Sequence, residues 1–278
     1  MLKFRPTSLC ALCVMTALLA HAGQASASPL QPNASHWLFL PFVANLYLPC
    51  PTTSSQTYDI IGIQGGYYKG NALTDENADF RLSILGYAPT AAPMTLVNYS
   101  GPADPHAPQM AGIFEPNRGP NITGVFKRYD WNWNESGPPP YGARGGVNND
   151  WPVSVINLAA TPGEGIYIPE RNISNAPIGT VAMVLYADED EVTLAYGDRD
   201  SVVNGYVVYL MNICTDPNLV ARYRQQLDGS GRRATGNLPA VRNNERIGIA
   251  RYNYVTVAIR DTGPFLDPRS RKDWWQGY

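Results

Sequence analysis

A succession of short β-branched and aromatic segments in the second half of the chain, each closed by turn residues, constrains its fold more than any other feature. Residues 153–158, 165–168, 181–186, 191–196, 206–211 and 254–260 all have this character. Segments of that length rich in Val, Ile, Leu and Tyr suit strands, because branched and aromatic side chains pack well on a pleated surface. Turn formers are abundant as well, with 25 Gly and 24 Pro in 278 residues. A mostly β fold follows, either a β-sandwich or a partly open antiparallel barrel. One segment departs from the pattern: Asp216 is a cap residue, Pro217 suits a first helical turn, and Leu219, Val220, Tyr223 and Leu227 recur at helical spacing before Gly229. This predicts one short helix over about 216–228.

The first half reads less regularly. Candidate strands occupy 57–63, 80–87 and 94–98, separated by turn signals at Gly65-Gly66, Gly70-Asn71 and Ala88-Pro89. Residues 28–133 therefore form an amino-terminal β region. Residues 134–152 are rich in Pro, Gly and Asn and poor in apolar side chains, which suits a linker between domains or a long exposed loop. Residues 153–278 form a carboxy-terminal β domain that ends in an aromatic, basic tail.

The amino terminus reads as a secretory signal over residues 1–27. Lys3 and Arg5 supply the basic start, residues 9–22 a short apolar run, and Ala25 and Ala27 a small-residue cleavage site. No later stretch approaches the roughly 20 apolar residues of a spanning helix, so the mature chain is expected outside the cytoplasm, secreted or held at the cell surface, without a transmembrane helix. Processing removes Cys10 and Cys13 and leaves Cys50 and Cys214, a disulfide pair or two buried thiols. A formal net charge of -2 with 16% charged residues gives no electrostatic basis for binding nucleic acid.

Several motifs of the second half recur in one order: GEGIYIP from Gly163, PIGTVAMVLY from Pro177, GYVVYLMN from Gly205, NNERIGIA from Asn243 and VTVAIRDTGPFLDP from Val255. In this outline residues 163–269 resemble the lysostaphin or LytM-type zinc metallopeptidases, which cut peptide cross-links in bacterial cell walls. The resemblance implies a β scaffold and places metal-liganding positions on Gly163, Tyr167 and Thr256, with a further family histidine on Tyr254. None of these side chains supplies the imidazole, thiolate or carboxylate lone pairs that hold zinc. The three histidines, His21, His36 and His106, all precede the matched region. The resemblance therefore implies a scaffold without its peptidase chemistry.

Other residue groups carry candidate functions. Asp188, Glu189, Asp190 and Glu191, with Asp198 and Asp200 beyond the next strand, offer oxygen ligands for Ca²⁺ if a hairpin gathers them, or else form a solvated turn. Four of these, Asp188, Asp190, Asp198 and Asp200, are the candidate metal residues. Glu164 and Glu115 are the carboxylates available for glycosidase-type chemistry, although no sequence feature pairs them. Trp131 and Trp133 alternate with Asn132 and Asn134, so a strand would put both indoles on one face, to stack on sugar rings or to fill a core. In the tail, Arg269, Arg271, Trp274 and Trp275 are types that dominate binding hot spots, or they fold back on the domain. The leading expectation is an exported, non-catalytic cell-envelope or glycan-binding module with peptidoglycan, another glycan or an envelope protein as partner. A secreted hydrolase with an unrecognised site and an assembly subunit of a surface complex are the alternatives.

Overall fold

The computed structural model describes residues 48–62, 74–134, 136–138, 140–172, 177–197, 205–233 and 236–278. The signal segment 1–27, the turn pairs at 65–66 and 70–71, and Asp198 and Asp200 lie outside them. All described residues belong to one compact unit, Ala44–Tyr278.

In chain order the strands are β1 (Asp59–Gly62), β2 (Tyr87–Pro89), β3 (Ile122–Asn132), β4 (Ala143–Val147), β5 (Val155–Ala159), β6 (Gly165–Tyr167) and β7 (Ala182–Ala187). They continue as β8 (Glu191–Ala195), β9 (Tyr206–Met211), β10 (Ile213–Thr215), β11 (Asn237–Val241), β12 (Arg246–Ala250), β13 (Tyr254–Asp261) and β14 (Phe265–Leu266). Three short helices are α1 (Leu82–Leu85), α2 (Pro217–Arg224) and α3 (Arg271–Trp274). The strands pair antiparallel into a large sheet of order β1-β11-β7-β8-β9-β13-β5-β3-β2, with β14 on β13 and β4 on β3. A second sheet has the order β10-β12-β6. The fold is mostly β, and no closed barrel forms among the described residues.

Register assigns each side chain of the large sheet to a face. Val257 of β13 lies opposite Leu210 of β9 and Ile156 of β5, and Ile259 lies opposite Val208. Leu210 and Val208 in turn face Val192 and Leu194 of β8. This face is fully buried and apolar, and it shares one core with Ile166, Ile213 and Ile247 of the small sheet. The alternate residues make a different surface. Thr256 lies opposite Asn157 and Met211, Met211 opposite Glu191, and Tyr209 opposite Ala258 and Thr193. Period-two alternation alone produces this division.

The Asp216 carboxylate caps α2 by accepting from the Asn218 N–H at 2.9 Å. The helix ends at Arg224, short of residue 228, because the chain then turns and Leu227 bridges Arg233. Residues 80–87 correct the expectation of a strand. The Asn77 carbonyl accepts from the N–H groups of Phe80 and Arg81, both at 3.0 Å, and starts a turn that leads into α1. Gly86 then takes φ +74°, which leaves only Tyr87–Pro89 extended. Residues 94–98 likewise form no strand, and Val97 alone bridges Ser270. The Pro/Gly/Asn-rich segment is a long loop rather than a domain linker. It holds β4 and the connections that lead to it from β3 and from it to β5, and β3 and β5 are neighbours in one sheet.

The expected disulfide is present between Cys50 and Cys214 and spans 164 residues. No helix among the described residues is long and apolar enough to cross a membrane.

Candidate functional site

The mixed face of the large sheet gathers polar groups at the ends of β13, β9 and β5. Thr256 is fully buried at its centre. Its Oγ1 accepts from Asn212 Nδ2 at 2.7 Å and donates to Asn157 Oδ1 at 2.7 Å. Asn212 takes φ +64° between β9 and β10, a conformation asparagine tolerates better than most side chains. An amide has both a carbonyl and an NH₂ group, so the relay leaves Asn157 Nδ2 as a donor and Asn212 Oδ1 as an acceptor at its two outer ends. Both asparagines are half-buried.

Aromatic rings wall this relay. A Cβ on Gly124 would stand 2.9 Å from the Phe126 ring and 3.2 Å from Asn157 Nδ2, so glycine lets that ring lie back along β3 beside the amide. The Phe126 ring meets Tyr87 edge to face at 5.1 Å. Tyr252 stacks on Tyr254 with centroids 6.0 Å apart. Burial, together with the nearby Tyr87 and Tyr252 phenols, holds the Tyr254 hydroxyl above its ordinary pKa, so it stays neutral and able to donate at physiological pH. All four residues are half-buried.

Further along the same face lies a buried charge cluster. Glu191 is fully buried. It accepts from Ser83 Oγ at 2.6 Å, from the Ser83 N–H at 3.2 Å and from Arg81 Nε at 3.3 Å. Arg81 also reaches Asp188 at 2.8 Å and lies over the Tyr186 ring. Burial pushes the Glu191 carboxyl up to about 7 despite the Ser83 and Arg81 contacts that favour its charge. Thr193 Oγ1 and the Tyr209 hydroxyl donate to the carbonyls of Phe80 and Asp79, at 2.5 and 2.7 Å, so residues 79–83 cover this part of the face.

The acidic run is therefore divided rather than gathered. Asp188 Oδ1 accepts from the N–H groups of Asp190 and Glu191 within its own turn, and Oδ2 accepts from Arg81 and Tyr186. Asp190 faces Arg251 at 3.6 Å, with its carboxyl pushed up by burial and by Asp188. Among the described residues no group of three or more His, Cys, Asp or Glu side chains is placed to hold a metal ion.

Of the two readings of the tail, an exposed contact surface or a segment folded back on the domain, the structure shows the second for Arg269, Trp274 and Trp275. Trp274 and Trp275 are 1% and 0% exposed, and their indole N–H groups donate to the carbonyls of Asp267 and Pro268. Arg269 is buried against Asp267 at 2.7 Å. Trp274 packs edge to face on Tyr206, which continues the apolar face of β9. Of the four, only Arg271 on α3 is exposed, and its guanidinium bonds the Tyr278 carbonyl. The indoles fold inward because each N–H finds a carbonyl within the tail itself.

Trp131 and Trp133 behave differently. Their rings meet edge to face at 6.1 Å on the β3–β4 hairpin. Trp131 is half-buried and donates to the Tyr141 carbonyl, whereas Trp133 is 40% exposed. Glu164 is tied to Arg118 at 3.0 Å, and Glu115 is exposed. Gly163 precedes β6, Tyr167 ends it in the small sheet, and Thr256 sits in the large sheet within the amide relay. Sequence reasoning missed Asn157 and Asn212 as site residues. The signal available was, for Asn157, polarity at the strand position between Ile156 and Leu158, and, for Asn212, an asparagine at the break between two apolar strands.

Compared with known proteins, the chain matches no family model, no curated protein and no solved structure.

Proposed function

We propose that this chain is a non-catalytic glycan-binding module of a cell envelope and that its ligand lies on the amide relay of the mixed sheet face. The carrying observation is the line Asn157–Thr256–Asn212 walled by Tyr87, Phe126, Tyr252 and Tyr254. A pyranose ring offers C–H groups that pack on aromatic faces and neighbouring hydroxyls that both donate and accept. The outer Asn157 Nδ2 and Asn212 Oδ1 meet those two needs. Trp133 on the hairpin supplies a further exposed ring for a longer polymer.

The resemblance to LytM-type peptidases supports reuse of a wall-directed scaffold, since Tyr254 and Thr256 replace two histidines of that pattern. A scaffold that keeps polar and aromatic side chains there without metal ligands suits binding rather than hydrolysis. The signal-like residues 1–27 and the Cys50–Cys214 disulfide support a location in an oxidising compartment outside the cytoplasm.

The test is retention of purified protein on insoluble peptidoglycan and on immobilised neutral glycans. Retention is expected for the natural protein and is expected to fall at least tenfold in Asn157→Ala and Tyr254→Ala. Equal retention of those variants would remove the relay as the site, and no retention on any glycan would remove the function.

A further inference from the structure

A cavity of about 390 Å³ opens on the small sheet, lined by Gln56, Tyr167, Asn244, Glu245 and Arg246 among others. That size falls within the roughly 300–1,000 Å³ of small-molecule sites. Tyr167 of β6 and Arg246 of β12 are register partners and half-buried, whereas their neighbours Ile166 and Ile247 are buried in the core. A Cβ on Gly165 would stand 3.0 Å from Tyr167 Cε2 and 3.5 Å from Arg246 Cδ. Glycine therefore lets the phenol ring lie back along β6 with the arginine stem beside it.

The main chain around the cavity is fixed by bonds of its own. In the β11–β12 turn the Glu245 carboxylate accepts from the Arg242 N–H at 2.7 Å, and the Glu245 N–H donates to the Arg242 carbonyl at 3.1 Å. The Asn243 amide is bonded in both directions to the Arg171 main chain. The Gln56 N–H donates to Ser54 Oγ at 3.0 Å, and its carbonyl accepts from Asn218 Nδ2 at 2.8 Å. A different set of groups is left over. The side chains of Gln56, Tyr167, Asn244 and Arg246 form no hydrogen bond or ion pair with another described residue, and each is half-buried or exposed, so a ligand can reach it. Two amides, a phenol hydroxyl and a guanidinium offer both donors and acceptors around one flat ring. Arg242 is paired with Asp59, so the remaining charges of the lining are Arg246 and Glu245, one of each sign. That balance favours an uncharged polar ligand over an anion.

We infer that this cavity is a second sugar site, which holds a neutral pyranose against the Tyr167 ring. The ring packs on sugar C–H groups, Arg246 donates to hydroxyl oxygens, and the Gln56 and Asn244 amides both donate and accept. The inference rests on the glycan-binding reading and adds to it a site on β6 and β12, strands that take no part in the relay.

The test is amide chemical-shift mapping of the protein titrated in turn with chitohexaose, cellohexaose and maltohexaose. Two separate groups of amides are expected to shift with at least one of these neutral sugars, one at Asn157 and Tyr254, the other at Gly165, Asn244 and Arg246. Tyr167→Ala is expected to weaken binding at the second group by about tenfold, the equivalent of one hydrogen bond, and to leave the first group unchanged. Arg246→Met keeps the stem beside Gly165 and removes the guanidinium, an independent variant should loss of the tyrosine disturb the sheet. Asn244→Gly is expected to have a smaller effect, since glycine accepts the φ of +59° at that position without strain. Shifts confined to the second group support this inference and remove the relay as a site. Shifts confined to the relay amides overturn the inference and leave the glycan reading standing. Full affinity at the second group in both Tyr167→Ala and Arg246→Met also overturns it. No shift with any of the sugars removes the glycan reading and this inference with it.

Discussion

The two faces of the large sheet are made by the same strands, one residue in two, and they are finished by opposite means. One face meets the small sheet and the tail through Val, Ile, Leu and Trp. The other carries Thr256, Asn157, Tyr209, Thr193 and Glu191, and is covered in part by residues 79–83 through hydrogen bonds and ion pairs. An apolar covering would have been the more stable way to close that second face, because buried charges lose hydration that their pairing only partly restores. The difference separates the face that holds the fold from the face that carries recognition.

Three measurements break or sharpen this contrast. The largest effect is expected on the apolar side, where Trp274→Ala should cost about 3–5 kcal/mol in denaturant unfolding, since truncating a buried indole leaves a cavity that neighbours fill only partly. A loss below about 1 kcal/mol would mean that the tail does not complete the core.

The next concerns Glu191. Its folded value of about 7 lies above the ordinary 4.5, so the folded chain holds the proton more tightly than the unfolded chain does. The stability gained by protonation is complete below about pH 4.5 and is lost as pH rises through about 7. The difference amounts to about 3 kcal/mol across that window at about 1.4 kcal/mol per pH unit. Glu191→Gln should flatten this contribution, visible as a divergence of the two melting temperatures over pH 4.5 to 7. Parallel curves for the two proteins would show that the carboxyl is not desolvated.

The smallest effect is expected at the relay. Thr256→Val keeps the shape and strand propensity but strands the Asn157 carbonyl and the Asn212 amide, at a cost of about 1–2 kcal/mol. It should weaken glycan retention as well, because the outer donor and acceptor lose their fixed orientation. Unchanged stability together with unchanged retention would make the relay incidental.

The sequence reveals the apolar face more readily than the polar one. Alternation in residues 206–211 and 254–260 marks β9 and β13, and capping chemistry at Asp216 and Pro217 marks the start of α2. Local pattern fails at residues 80–87, where Leu82 and Leu85 suit a short helix or a strand equally and the deciding contacts are to Asn77 and to β8. It fails again for Trp274, because nothing in the tail shows that a carbonyl seven residues earlier will take up its indole N–H. The relay joins residues 157, 212 and 256, which only strand register places together. Glu191 reads as one more acidic turn residue until its register with Met211 turns it inward.

The Cys50–Cys214 bond has a mechanical consequence. Tension entering from the amino-terminal side passes at Cys50 directly into Cys214, 164 positions further along the chain, and bypasses the residues between them. Most strands of the large sheet lie within that bypassed length, and α2 lies just beyond it. A load applied across the two ends therefore peels only the segment after Cys214 while the bond is intact. Reduction releases a further contour length of about 550 Å, taking about 3.4 Å per extended residue. The disulfide thus makes the extensibility of a tethered molecule depend on the redox state of its surroundings.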